Sequence, residues 1–224
     1  MMATDTHASS EEIQPLSRRI WLVRHGLTEW NTQQRFGGHR DIPLAREGRL
    51  QARWLARYLR GKKIIALYSS DLSRARETAQ IIARTFTPPL TIQVSAAWRE
   101  LDFGAWDGLT YAEIATAFPE QLDFFTDPEG VAPPGGETLL HLQRRVLLAL
   151  GQACTAEPGD LLIVSHGGPL RVLLSSVLGM PLARQWQLAL APGSLSALDL
   201  LPVQDVSAPS GTLALLNVQR SSFL

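Results

Sequence analysis

Short apolar runs recur along this chain, separated by stretches whose apolar positions repeat at three and four. Ile20-Trp21-Leu22-Val23 and Leu161-Leu162-Ile163-Val164-Ser165 are almost wholly apolar, the pattern of strands buried on both faces. Ile64–Tyr68 reads as another strand, Leu90–Val94 as one that alternates, and Leu195–Leu200 and Leu213–Val218 as two late strands. Helical spacing links Gly48, Ala52, Leu55 and Leu59, with Gly61 as the stop. It links Ala75, Ala79, Ile82 and Phe86 next, with Ser70 or Asp71 as the cap and Pro88-Pro89 as the end. Leu139, Leu142, Val146 and Ala149 mark a longer helix, and another runs from Pro169 to Gly179. Strands alternating with helices predict an α/β three-layer sandwich, a mostly parallel central sheet with helices on both faces.

Two stretches break this rhythm. Leu27 to Pro43 carries glycines and little periodicity and reads as a long functional loop. Trp98 to Gly136 is rich in aromatics and ends in Pro133-Pro134-Gly135-Gly136. It predicts a short cap insertion over the sheet edge, at about 103–137, with one helix start at the capping-box spacing Thr110-x-x-Glu113. Residues 1–18 are polar and are expected to form a disordered tail ahead of a single domain at 19–224.

Composition narrows the partners. Lys+Arg and Asp+Glu each number 21, so no global field favours nucleic acid or an anionic membrane. The single Cys154 rules out an internal disulfide and a cysteine metal cluster, and packing of a thiol is its simplest role. No cofactor and no metal are expected. No run is apolar enough for a membrane span, and the first 18 residues lack the core of a secretory signal. The expected location is the cytoplasm.

The chemistry gathers where strands end. Arg24-His25-Gly26 closes the first apolar run and His166-Gly167-Gly168 closes the fourth, about 140 residues on. Parallel strands deliver such residues to one edge of the sheet, where ligands bind. Arg74 and Arg76 fall in the first turn of a helix after the second strand, and Glu100 and Asp102 follow the third. Arginines beside a histidine at a glycine-lined strand end form a phosphate cradle, because guanidinium forks match phosphate oxygens. Backbone N–H groups of Gly26, Gly167 and the helix near Pro169 add donors.

Four ordered blocks resemble the histidine phosphatase (phosphoglycerate mutase-like) superfamily. They are Leu22-Val-Arg-His-Gly-Leu-Thr-Glu-Trp-Asn31 with Gly38-x-x-Asp41-x-Pro43-Leu44, Tyr68-Ser-Ser-Asp-Leu-Ser-Arg-Ala-Arg-Glu-Thr-Ala79, Arg99-Glu-Leu-Asp-Phe-Gly-Ala-Trp-Asp-Gly108 and Val164-Ser-His-Gly-Gly168. The resemblance implies that His25 is the nucleophile, forming a phosphohistidine. It implies that Arg24, Arg74 and His166 bind the phosphate, that Asn31 and Thr28 add contacts beside the Gly167 N–H, and that Glu100 donates a proton and then activates water. Asp102 competes with Glu100, and the family position favours Glu100. Arg76 is read as a surface charge, His39 as a loop residue and His141 as a helix-surface residue; His7 lies in the tail. Leu27 replaces an acidic residue common in the family.

Within the superfamily, Leu101 after Glu100 and the 65 residues between Glu100 and His166 resemble phosphatases rather than mutases, whose insertion is longer. Pro133-Pro-Gly-Gly-Glu137 and the segment from Gly179-Met-Pro through Trp186 to Leu200 are similar to the α-ribazole phosphatase branch. That similarity implies a small phosphorylated metabolite, α-ribazole 5′-phosphate, as substrate. A broad-specificity phosphatase is the alternative, and a mutase or a non-catalytic phospho-ligand module stands further off. A homodimer paired through a sheet edge is compatible with the sequence.

Overall fold

The structure, a computed structural model, describes residues 18–127, 130–201 and 209–220. Strand β1 (Arg18–Arg24) runs into a loop holding the short helix α1 (Glu29–Thr32), then helix α2 (Arg46–Leu59). Strand β2 (Ile64–Ser69), helix α3 (Ser73–Ala83) and strand β3 (Ile92–Val94) follow. The cap contains helix α4 (Tyr111–Ala117) and 3₁₀ turns, and leads to the long helix α5 (Leu139–Ala156). Strand β4 (Asp160–Ser165), helix α6 (Gly167–Val177) and strands β5 (Leu195–Leu200) and β6 (Gly211–Val218) complete the described chain.

The six described strands form one sheet in the order β3-β2-β4-β1-β5-β6. The first four lie parallel; β5 is antiparallel to β1, and β6 to β5. Both sheet faces are covered, which is why the strands read as nearly unbroken apolar runs. Ile20, Leu22, Leu161 and Ile163 point toward α5, α6 and the cap. Trp21, Val23, Leu162 and Val164 point toward α2 and α3. Consecutive side chains thus serve opposite layers, as the strand period of two requires.

The cap is an extension of the core rather than a separate lobe. Trp106 and Phe124 are fully buried, and Trp106 stacks on Phe125 at 5.6 Å with 8° between the rings. Both pack into the cluster that includes the α5 face. Truncating Phe124 to Ala costs about 3–5 kcal/mol by the usual measure of a lost buried aromatic.

Some local expectations shift. Arg18, placed in the tail by the sequence, opens β1 and donates to the Cys154 carbonyl at 2.7 Å; the rest of that segment lies outside the described residues. The third strand contracts to Ile92–Val94, an edge strand whose Gln93 and Val94 are exposed. Helix α3 begins at Ser73, and neither Ser70 nor Asp71 caps it. Asp41 reaches across from the long loop to accept from the Ser73 N–H at 2.7 Å, while Asp71 is drawn into a bidentate pair with Arg99. Phe86 packs on the core from beyond the helix end. No described helix is long and apolar enough to cross a membrane.

Candidate active site

Parallel pairing of β1 with β4 sets Arg24 beside Ser165, so the next residue on each strand is a histidine. His25 N–H donates to the Ser165 carbonyl at 3.0 Å, and the two imidazoles meet edge-on with centroids 5.0 Å apart. Gly26 then turns the chain across the first turn of α2. A Cβ there would collide with the Gly48 backbone, and one on Gly48 would collide with Leu27. The two glycines permit a backbone contact that no other residue pair allows.

Hydrogen bonds assign the ring protons. A carbonyl only accepts, so His25 Nδ1, 2.8 Å from the Gly26 oxygen, carries the hydrogen and leaves a lone pair on Nε2. A guanidinium only donates, so His166 Nδ1, which accepts from Arg74 Nε at 3.2 Å, bears the lone pair. His166 Nε2 then carries the hydrogen, and it is buried without a partner. One ring presents an acceptor atom and its neighbour a donor. Burial first, then the charges of Arg74 and Arg24, hold His25 well below the ordinary imidazole range. His166 is held down by burial, then by Arg74, His25, Arg24 and Arg145. Both rings are neutral near pH 7.

The arginines divide their work. Arg74 is buried, and besides His166 it donates to the carbonyls of Arg40 and Gly38 at 2.9 and 2.8 Å and of Gly37 at 3.5 Å. It therefore ties the long loop to His166 as well as lending charge to the pocket. Arg24 donates to the Leu190 carbonyl and lines the pocket. Burial lowers its pKa to about 10, with Glu100 opposing and Arg171 and Arg74 adding to the shift, so it remains a cation at neutral pH.

Glu100 is buried opposite the histidines. Its Oε1 accepts from the N–H groups of Leu101 and Gly168, both at 2.9 Å. That leaves Oε2 as the oxygen available for chemistry. A Cβ on Gly168 would strike Oε1, so any side chain there would push the carboxylate out of this position. Asp102 takes no part in the pocket: it accepts from Gly104 N–H at 2.9 Å, lies 3.6 Å from His39 Nδ1 and does not line the cavity. Thr28, Asn31 and Gly167 do line it. Thr28 and Asn31 form a capping box on α1, in which Asn31 Oδ1 accepts from the Thr28 N–H and hydroxyl. With that oxygen occupied, the Asn31 amide NH₂ is the group left to act as a donor. Arg76 is exposed on α3, as is His141 on α5.

Four side chains at or around the site, Arg171, Arg35, His39 and Arg145, were given no part in it by the sequence, His39 being read as a loop residue. Arg171 lines the pocket one helical turn beyond Gly167, held by Nε to the Leu188 carbonyl at 2.9 Å and lying 5.7 Å over the Trp186 ring. Its signal was available, because it is the one charged residue in α6. His39 Nε2 lies 3.0 Å from the Glu100 carbonyl, and Arg145 donates to the same oxygen at 2.8 Å. No local pattern marks either. Arg35 also lines the pocket, donating to the Gly108 carbonyl at 2.7 Å and to Glu113 at 2.9 Å. Most of the remaining wall is apolar: Trp30, Phe36, Ile42, Leu101, Phe103, Leu139 and Trp186.

Fold and site together define an α/β protein with an arginine-lined pocket at the carboxyl edge of a parallel sheet, where His25 lines the pocket and His166 packs edge-on against that ring. The profile of the histidine phosphatase superfamily (branch 1) matches residues 20–205. The chain belongs to that superfamily. A "Probable phosphoglycerate mutase GpmB" of Yersinia pestis is 37% identical over 186 residues, covering 81% of this chain and 84% of that protein. A mycobacterial glucosyl-3-phosphoglycerate phosphatase, solved with VO3, superposes with a TM-score of 0.80 at 29% identity, covering 89% of this chain and 99% of its own. The α-ribazole phosphatase of Shigella flexneri gives a TM-score of 0.78 at 27% identity, covering 89% and 96%.

Proposed function

We propose that the protein hydrolyses phosphomonoesters through a phosphohistidine on His25. The observation that carries this reading is the opposed pair of ring tautomers beside the free oxygen of Glu100. His25 Nε2 attacks phosphorus and the ester oxygen departs with a proton from Glu100. Water then attacks the phosphohistidine, giving its proton back to Glu100 and releasing phosphate and His25. The Nδ1–H bond to Gly26 supports the charge that the ring gains on phosphorylation. Arg24, Asn31 and the Gly167 N–H line the pocket where the equatorial oxygens would sit, and the unpartnered His166 Nε2–H beside His25 is the further donor, so fixed donors would stabilise their charge. Arg74 contributes mainly by fixing the His166 tautomer.

For the alcohol part of the substrate we infer an apolar, flat group, and α-ribazole 5′-phosphate is the specific candidate. Trp30, Phe36, Phe103 and Trp186 line the pocket and suit such a group, and Leu101 is the residue that follows Glu100. Similarity to an α-ribazole phosphatase supports the same choice. The relative named as a mutase favours a second reading, transfer of a phosphoryl group between two positions of a sugar acid.

Phosphate release from α-ribazole 5′-phosphate, 3-phosphoglycerate, glucosyl-3-phosphoglycerate and an aryl phosphate, without added metal, separates these readings. A kcat/KM for the nucleotide at least about a hundredfold above the rest supports the specific assignment. Even turnover of all four means a generalist phosphatase. Isomerisation of 3-phosphoglycerate without net phosphate release would replace hydrolysis by the mutase reading.

A further inference from the structure

The loop that carries Glu100 has no strand to pair with, and its backbone acceptors are satisfied by side chains instead. Four consecutive carbonyls are involved. Ala97 and Arg99 accept from Arg145 Nη1 at 2.9 and 2.8 Å, and Trp98 accepts from the Ser165 hydroxyl at 2.7 Å. Glu100 accepts from Arg145 Nη2 at 2.8 Å and faces His39 Nε2 at 3.0 Å. The two remaining N–H groups of Arg145 form a bidentate pair with Glu137, at 2.8 and 2.9 Å. Every N–H of this guanidinium is therefore engaged, three on the acid loop and two on one carboxylate.

Glu137 closes the Pro133-Pro134-Gly135-Gly136 run, which also lies against the acid loop. Glu137 N–H donates to the Asp102 carbonyl at 2.9 Å, and Ala105 N–H donates to the Pro134 carbonyl at 2.9 Å. A Cβ on Gly136 would collide with the Asp102 carbonyl. Arg145 and Glu137 sit largely shielded from solvent, and neither lines the pocket.

We propose that the Arg145–Glu137 fork is the positioning device for Glu100, fixing where its free oxygen meets the leaving group. This rests on Glu100 being the proton donor proposed above. A planar fork spans three carbonyls and a carboxylate in one plane; a lysine ammonium is a point donor and loses most of that geometry. Small displacements of a reacting group cost catalysis steeply, of the order of a hundredfold for about 1 Å. The fork thereby gives the proline-glycine run a function: it anchors the far side of the clamp.

The test is the dependence of kcat/KM on leaving-group acidity, measured from dinitrophenyl phosphate to an alkyl phosphate. It compares the wild type with E100Q, R145K, R145A and E137Q, with melting temperatures and the Kd for inorganic phosphate recorded for each. An alkoxide needs the proton and a dinitrophenolate does not. The expected result is that R145K and E137Q lose at least about tenfold more on the alkyl ester than on the activated one, in the same sense as E100Q. The phosphate Kd should stay within about twofold, since the anion pocket is untouched. Equal losses on all esters, or no loss on the alkyl ester, would overturn the proposal. A flat dependence in E100Q itself sinks the acid assignment and the clamp with it. Steepening in E100Q alone sinks only the clamp. Should R145A fail to fold, R145K and E137Q carry the comparison.

Discussion

The two sides of the pocket are built differently. On the strand side, His25 and His166 are delivered by β1 and β4, whose register is set by a ladder of main-chain bonds. On the cap side, Glu100 is delivered by a loop whose carbonyls are held by Arg145, Ser165 and His39. A ladder repeats and so tolerates the loss of any one side chain. A side-chain clamp does not, because one guanidinium, that of Arg145, supplies three of the four carbonyls. The backbone placement of the two histidines should therefore survive the loss of a single side chain, whereas the placement of Glu100 should fail when a supporting side chain is lost.

The largest effect should come from the reacting atom. His25→Ala is expected to lower kcat by at least about 10⁴-fold, as expected when a covalent nucleophile is removed, while the melting temperature changes little. Acid-quenched enzyme should yield phosphohistidine in the wild type and none in this variant. Labelling that persists in His25→Ala would move the nucleophile elsewhere.

The cap side should break through a residue with no chemistry of its own. In Gly168→Ala the new methyl collides with Glu100 Oε1, displacing the carboxylate from the Leu101 and Gly168 N–H groups. The expected loss in kcat/KM on an alkyl phosphate is about 10²-fold, with a stability cost of about 1–3 kcal/mol from overpacking. Unchanged kinetics would show that the Oε1 contacts do not position the acid.

Stability against pH sharpens the contrast on the strand side. His25 and His166 have folded pKa values pushed down by burial, so below the unfolded value of about 6.5 the unfolded chain binds protons that the folded chain does not. Stability is full above that pH and falls as pH drops through the window toward the lowered folded values. With two such groups the slope approaches about 2.7 kcal/mol per pH unit, and His25→Asn should remove about half of it. Urea unfolding between pH 7 and 5 measures this, and an identical slope in the variant would argue against neutral burial of His25.

The smallest effect is expected at Asp102, whose side chain supports a turn and stays out of the pocket. Asp102→Asn should change kcat/KM by less than about threefold across pH. A loss approaching that of E100Q would mean the acid assignment chose the wrong carboxylate.

Local pattern carried a large part of this protein. Apolar runs located the strands, Thr110-x-x-Glu113 marked a real capping box, and the strand-end histidines were found because a sheet edge follows from the pattern alone. Asp41, Asp71 and Arg145 were illegible for one reason. Each bonds a segment far away in the chain, and a carboxylate from a distant loop replaced the local cap expected for α3.

The sequence by itself determined the layered α/β class, the superfamily and the strand ends at which the two histidines meet, because period, turn chemistry and motif spacing are local properties. Only the tertiary structure decided which ring nitrogen of each histidine is free, which oxygen of Glu100 is available and that Arg171 belongs in the pocket. Those depend on which donor or acceptor lies within about 3 Å, and that is fixed by packing between segments rather than by order along the chain.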